Sequence, residues 1–202
     1  MNSTPEIPNV SLSAIVLAGG QSSRMGQDKA LIEVSGVPLL RRVCEAALHC
    51  TDQVYVVTAW SDRHRSILPP HCHLIADIRR QGPLVGFAHG LAQTQTDWVL
   101  LLACDLPRLQ GETLQSWTAE LETISADTIA LLPRSQKGWE PLCGFYRRQC
   151  LSNLQDFIQQ GRRSFQSWLA TQRVQELRLE NREILFNCNT PQDLEDFSRG
   201  NR

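Results

Sequence analysis

Residues 17–31, LAGGQSSRMGQDKAL, hold the densest group of chemically useful side chains in this sequence. An apolar run, Ala14-Ile15-Val16-Leu17, leads straight into Gly19-Gly20, and fixed positive charge follows at Arg24 and Lys29. Glycine lets backbone N–H groups come close to a ligand, and two cations offset charge that backbone dipoles alone would leave exposed. The spacing therefore predicts a loop that wraps a polyphosphate. Two familiar phosphate signatures do not fit. GxxxxGK[ST] finds no match at Gly20 or Gly26, and GxGxxG fails because Gly19 and Gly20 are adjacent. A glycine pair alone also suits a plain strand-to-helix turn. Arg24-Met25-Gly26 and Asp28-Lys29 in the same short loop tip the reading to phosphate.

A second candidate is Asp105, just beyond the apolar run Trp98–Leu102. Open α/β sheets bind ligands at the carboxyl ends of their strands, and a hard carboxylate there suits Mg²⁺. Aspartate before Leu-Pro is also ordinary turn chemistry.

Both candidates need a scaffold, and the hydrophobic pattern supplies one. Strand signals at Ala14–Leu17, Val54–Val57, His73–Ile75, Trp98–Leu102 and Thr128–Leu131 alternate with helical ones. The helical patterns cover Leu39–Leu48, Asp62–Leu68, Leu84–Thr94 and Glu112–Glu122. This alternation predicts an α/β fold with a parallel sheet and crossover helices on both faces. After Pro141 the pattern is less regular. Leu142–Tyr146 reads as a strand, Arg148–Gln160 and Ser164–Ala170 as helices, and Val174–Leu179 as an edge strand. Thr190-Pro191-Gln192-Asp193 has the make-up of a helix start, with Thr as cap and Pro next.

Composition narrows the classes. A length of 202 residues with no dividing linker is expected to form a single domain over 1–202, with residues 1–11 as a flexible tail. The net charge of −1 argues against nucleic acid as a partner, which would call for a basic stripe. No signal peptide is visible at the start, and the run Trp98–Cys104 is too short to span a bilayer. A cytoplasmic protein that does not bind membranes is expected. The seven cysteines include no CxxC pair, and several sit in apolar runs, as small buried hydrophobes do. His71-Cys72-His73 resembles a metal cluster, but neighbours on a strand point to opposite faces. Trp60, Trp98, Trp117, Trp139 and Trp168 read as packing residues rather than a stacking platform.

The glycine-rich stretch resembles the signature of the molybdenum cofactor guanylyltransferase family, a branch of the GT-A-like nucleotidyltransferases. Four further segments fit that family in its order. They are Gln81-Gly82-Pro83-Leu84-Val85-Gly86, Ala103-Cys104-Asp105-Leu106-Pro107, Glu140-Pro141-Leu142-Cys143-Gly144-Phe145-Tyr146 and Asn187-Cys188-Asn189-Thr190-Pro191. The resemblance implies a three-layer sandwich around a mostly parallel, Rossmann-like sheet. It also implies transfer of GMP from GTP to molybdopterin-bound molybdenum, with pyrophosphate released and Mg²⁺ as cofactor. Molybdoenzymes or their chaperones would be the protein partners.

Carried over by position, Leu17, Ala18 and Gly19 would line the nucleoside through main-chain contacts. Lys29 and Arg24 would meet the phosphates, Asp105 the metal and Asp77 the guanine. Asn187 and Asn189 would face the acceptor. Arg162 and Arg163 could reach the acceptor's terminal phosphate, although exposed arginines after a glycine are usually just solvated. One departure stands out: some relatives carry Asn after the second strand, where this chain reads Thr58-Ala59-Trp60. A cytidylyl- or sugar-phosphate nucleotidyltransferase of the same fold, and a non-catalytic carrier of nucleotide or pterin, are the competing readings.

Overall fold

The structure, a computed structural model, describes residues 10–19, 28–188 and 193. Strand β1 (Leu12–Leu17) is buried at every position. A 3₁₀ turn at Lys29–Leu31 precedes β2 (Glu33–Val34) and β3 (Val37–Pro38), which form a small antiparallel hairpin. Its two-residue turn is Ser35-Gly36, both with positive φ, the twist that matches right-handed strands. Helix α1 (Leu39–Leu48), β4 (Val54–Thr58), α2 (Ser61–Arg65) and β5 (Cys72–Ala76) follow. Next come α3 (Pro83–Leu91), β6 (Trp98–Ala103), α4 (Gly111–Glu120) and β7 (Ala130–Leu132). The remainder holds β8 (Arg134–Ser135), β9 (Gly138–Trp139), β10 (Cys143–Arg147), α5 (Leu151–Gln159), α6 (Phe165–Leu169) and β11 (Val174–Glu176).

The large strands make a seven-stranded sheet in the order β11-β7-β10-β6-β1-β4-β5. β1 pairs in parallel with both β4 and β6, and β4 in parallel with β5. β10 is the exception: it runs antiparallel to β6 and β7. Period-2 alternation splits the strands' side chains between two faces. Ala14, Val16, Leu100 and Leu102 join α1 and α4 in one core; Ile15, Leu17, Val99 and Leu101 join α3, α5 and α6 in the other. The result is the three-layer α/β sandwich with a mostly parallel sheet that the resemblance implies, and the parallel sheet read from the alternation holds except at β10.

The second core is aromatic. Tyr146 lies 4.7 Å from Phe87 and 6.1 Å from Trp168, ring centre to ring centre. Its hydroxyl donates to the Pro141 carbonyl at 2.7 Å, and the Trp168 indole N–H donates to Asn153, so both polar tips are satisfied.

Helix α3 lies especially close to the sheet because Gly90 has no side chain. A Cβ there would stand 3.0 Å from Cγ2 of both Ile15 and Val57. Gly90→Val adds a branched side chain against two methyl groups that sit in a packed core. The expected cost is about 2 kcal/mol, or a Tm roughly 4–8 °C lower, read by calorimetry.

Boundaries differ from the sequence pattern in ways that local bonding explains. Helix α3 begins one residue earlier than expected, with Pro83 as the first helical residue after Gly82 at φ 94°. The helix expected over Asp62–Leu68 is the short α2, and that over Glu112–Glu122 is α4 running into a 3₁₀ turn at Leu121–Thr123. The strand expected at Thr128–Leu131 starts at Ala130, because the Thr128 N–H closes a turn on the Ser125 carbonyl. Val174–Leu179 forms an edge strand as expected, although pairing stops at Glu176. Residues 1–9 of the expected tail lie outside the described residues; Val10 packs against the core, and the Ser11 carbonyl accepts from the Trp98 N–H. The helix start at Thr190-Pro191 also lies outside them. Among the described residues, no helix is long and apolar enough to cross a membrane.

Candidate active site

Parallel pairing brings the carboxyl ends of β1, β4, β5 and β6 to one edge of the sheet, and most of the predicted residues gather there. Beyond the paired strands, the Ala18 N–H donates to the Val57 carbonyl and the Cys104 N–H to the Leu17 carbonyl. These bonds fix Asp105 beside the end of β1. They also engage two of the main-chain groups that the resemblance offers to the nucleoside. Leu17 and Ala18 are buried, while Gly19 opens to solvent.

Lys29 reaches the site from the 3₁₀ turn. Asp28 caps that turn by accepting from the Ala30 N–H at 3.1 Å. The Lys29 ammonium stands 3.5 Å from Asp105 Oδ2, with both side chains about four-fifths shielded from water. Burial raises the Asp105 pKa above its ordinary value, and the attraction and hydrogen bond of Lys29 only partly oppose that. Among the described residues, the attraction of Lys29 does not offset the cost of burying this carboxylate. Next to it, burial lifts the Cys104 thiol far above its usual range, helped by the nearby charges of Asp105 and Asp28. That thiol stays neutral filler.

Asp77 lies on the other side of β1's end. Its N–H donates to the Thr58 carbonyl at 2.8 Å, extending the β4–β5 pairing by one residue. Its Oδ1 accepts from the Arg80 N–H at 3.2 Å, and its Oδ2 is 4.0 Å from where a Cβ on Gly19 would be. A Cβ at position 19 would make only ordinary contact with this carboxylate, so Gly19 and Asp77 are neighbours across the end of β1. The Arg80 guanidinium sits 5.2 Å over the Trp60 ring, and the Trp60 N–H donates to Thr58 Oγ1. The segment Thr58-Ala59-Trp60, where the resemblance leads one to expect Asn, thus presents that indole instead.

Asn187 is exposed, and the N–H of its neighbour Cys188 donates to the Asp105 carbonyl at 3.1 Å. This places the Asn187 segment against the Asp105 loop. Arg24 and Asn189 lie outside the described residues. Arg163 is held by the fold: it donates to the Ile158 carbonyl and to Gln81 Oε1, while Arg162 stacks 4.0 Å over Phe157.

One site neighbour escaped sequence reasoning. His64 on α2 is fully buried, and its Nε2 lies 2.9 Å from Asp28 Oδ2. A single histidine in the polar string Ser61-Asp62-Arg63-His64-Arg65 looks solvated, and nothing local marks its burial.

Among the described residues, no three His, Cys, Asp or Glu side chains gather to hold a metal by themselves. Asp105 can still serve as one ligand, since Mg²⁺ commonly takes one or two carboxylates and fills its shell with water and substrate phosphate. A largely shielded carboxylate just beyond the carboxyl end of β6 has the donor type and the place for that role.

A mostly parallel sheet with an aspartate beyond its central strand, a lysine brought to it by a 3₁₀ turn and a glycine beside a second aspartate suits a nucleotide-handling α/β enzyme, which binds its ligand at the carboxyl ends of the strands. The chain matches the MobA-like NTP transferase domain over residues 14–177 and belongs to that family. It is 60% identical over 183 residues to a protein from Nostoc sp. named "Probable molybdenum cofactor guanylyltransferase", covering 91% of this chain and 88% of that one. A protein of the same name from Synechococcus elongatus is 45% identical, with coverage of 91% and 96%. The crystal structure of molybdopterin-guanine dinucleotide biosynthesis protein A from Archaeoglobus fulgidus superposes with a TM-score of 0.76. It shares 25% identity, with 91% of this chain and 95% of that one covered.

Proposed function

We propose that this nucleotidyltransferase moves GMP from GTP to the phosphate of molybdenum-bound molybdopterin, giving the guanine dinucleotide cofactor and pyrophosphate. The observation that carries the reading is the Lys29–Asp105 pair at the end of β1 and β6, in a chain whose relatives bear the guanylyltransferase name. An acceptor phosphate oxygen attacks the α-phosphorus of GTP, a new P–O bond forms, and the bond to pyrophosphate breaks. No protein nucleophile is needed. Repulsion among anionic groups is the main barrier, so positioning and charge neutralisation are what the protein must supply.

Lys29 offsets phosphate charge, joined by Arg24, whose planar fork suits the leaving pyrophosphate. Asp105 would hold Mg²⁺, which when bound neutralises phosphate charge and polarises the reacting group. Gly19 and the adjoining backbone of Leu17 and Ala18 flank the nucleoside. Asn187, together with Asn189, faces the acceptor. We assign the protein to the cytoplasm, a reducing compartment that suits seven cysteines without a disulfide.

Asp77 reads the base. Guanine presents N1–H and its 2-amino group side by side, and a carboxylate accepts both. Each carboxylate oxygen has two lone pairs, so Oδ1 can keep the Arg80 bond while it accepts from the base. Asp77→Asn turns one acceptor into a donor facing a donor. The expected result is a kcat/KM for GTP lower by roughly ten- to a hundred-fold, with the gap between GTP and ATP narrowed.

The reading as a whole is tested by pyrophosphate release from GTP, CTP, ATP and UTP with Mg²⁺, with and without molybdopterin. GTP should be preferred, turnover should need the pterin, and GTP with Mg²⁺ should raise Tm more than the other nucleotides. Equal response to CTP and GTP removes the guanylyl assignment. Ligand binding without pyrophosphate release points to a carrier.

A further inference from the structure

The geometry points to His64 as a positioning residue for Lys29, acting through Asp28. This inference rests on the functional reading above, in which Lys29 meets the nucleotide phosphates. Asp28 does two things at once. Oδ1 accepts from the Ala30 N–H and so starts the 3₁₀ turn at Lys29–Leu31; Oδ2 faces His64 Nε2 at 2.9 Å. A carboxylate accepts, so Nε2 is the donor whichever charge the ring carries.

His64 is 0% exposed, while the Asp28 and Lys29 side chains are 15% and 21% exposed. The imidazole is therefore a rigid anchor below a carboxylate that opens toward the site. Lys29 lies between Asp28 and Ala30, so any swing of the cap turns the Lys29 Cα–Cβ bond. Four methylenes amplify that turn before it reaches the ammonium, which must stay near the phosphates and Asp105.

The other imidazole nitrogen adds to the case. Nδ1 is buried and has no hydrogen-bond partner among the described residues. Buried polar atoms are normally satisfied, and one left without a partner costs stability. A hydrophobic side chain would fill this place without that cost. The Asp28 contact is the property of histidine that the position uses. The anchor also arrives from a separate part of the fold: α2 belongs to the β4–β5 connection, and Asp77 directly follows β5. The segment that carries the proposed base reader therefore also braces the proposed phosphate contact.

The test compares wild type with His64→Phe, which keeps an aromatic ring and removes both nitrogens, and His64→Gln, whose Nε2 restores the donor. A 1 Å misplacement of a charge-stabilising group can cost about a hundred-fold in rate. For His64→Phe we expect kcat for GMP transfer to fall roughly ten- to a hundred-fold, with KM for GTP within about three-fold of wild type. His64→Gln should return to within about five-fold of the wild-type kcat. Ala30 amide exchange, followed by NMR, needs no turnover. It should speed up about ten-fold in the phenylalanine variant and recover with glutamine.

A folded His64→Phe protein with wild-type kcat and unchanged Ala30 exchange overturns the inference. If wild type releases no pyrophosphate from GTP, the functional reading falls, and the Ala30 measurement alone decides the inference. Should His64→Phe not fold, Asp28→Ser makes the cut from the other side. Serine still caps Ala30 but is too short to reach His64. The same loss of kcat is expected, and an unchanged kcat overturns the inference.

Discussion

Asp105→Asn is expected to reduce GMP transfer by about a thousand-fold while leaving the ligand-free protein at least as stable as wild type. The two outcomes share one cause. Burial raises the Asp105 pKa despite the neighbouring Lys29, so the folded protein holds this proton more tightly than the unfolded chain does. For a raised carboxylate pKa the sign is destabilising. Stability falls as pH climbs from the ordinary carboxylate range through the raised value, and the ionised group remains a burden above it. Asparagine keeps the shape and omits the charge. Thermal melts at neutral pH and pyrophosphate release together read the result. A variant that turns over at the wild-type rate removes Asp105 from the chemistry. Retained nucleotide binding and delivery of the ligand without any turnover in wild type would favour a carrier.

Lys29→Met is the second large effect. Methionine keeps much of the aliphatic stem and deletes the ammonium, so packing changes little while a fixed positive charge is lost where phosphate negativity concentrates. Transfer should fall by about a hundred- to a thousand-fold, mostly in kcat. The loss of Lys29 also removes the attraction and hydrogen bond that hold the Asp105 pKa down, so Asp105 becomes harder to ionise. Combining Lys29→Met with Asp105→Asn should cost less than the product of the single losses, because the two side chains are in contact. Strict multiplication of the two effects would show that they act independently.

Much of this site is written in contiguous sequence. The apolar run, the glycine pair and the cations that follow stand next to one another, so local spacing alone points to a phosphate loop. Asp105 is legible for a similar reason, since it stands two residues beyond β6, whose first five residues are buried. The approach of Lys29 to Asp105 is not local; it depends on β1 lying beside β6. His64 was invisible because its burial depends on a partner far along the chain, and its own neighbours are polar. The direction of β10 was equally hidden. Alternation of side chains reports which face is buried, and that is the same for parallel and antiparallel neighbours. Among the described residues, each strand and helix in the pattern has a counterpart, whereas the two-residue strands β2, β3, β8 and β9 are too short to show a period. Boundaries slipped where a proline, a turn bond or an edge set them.

That antiparallel strand bears on how the protein is made. β6 is apolar throughout and needs partners on both sides: β1, which leaves the ribosome earlier, and β10, which leaves later. Synthesis runs at about 5–20 residues per second, so the stretch between Ala103 and Arg147 takes some seconds to emerge. During that interval the newborn polypeptide carries a sticky, half-zipped hydrophobic ribbon. Its yield in cells should therefore respond to chaperone supply more than the stability of the finished molecule would suggest.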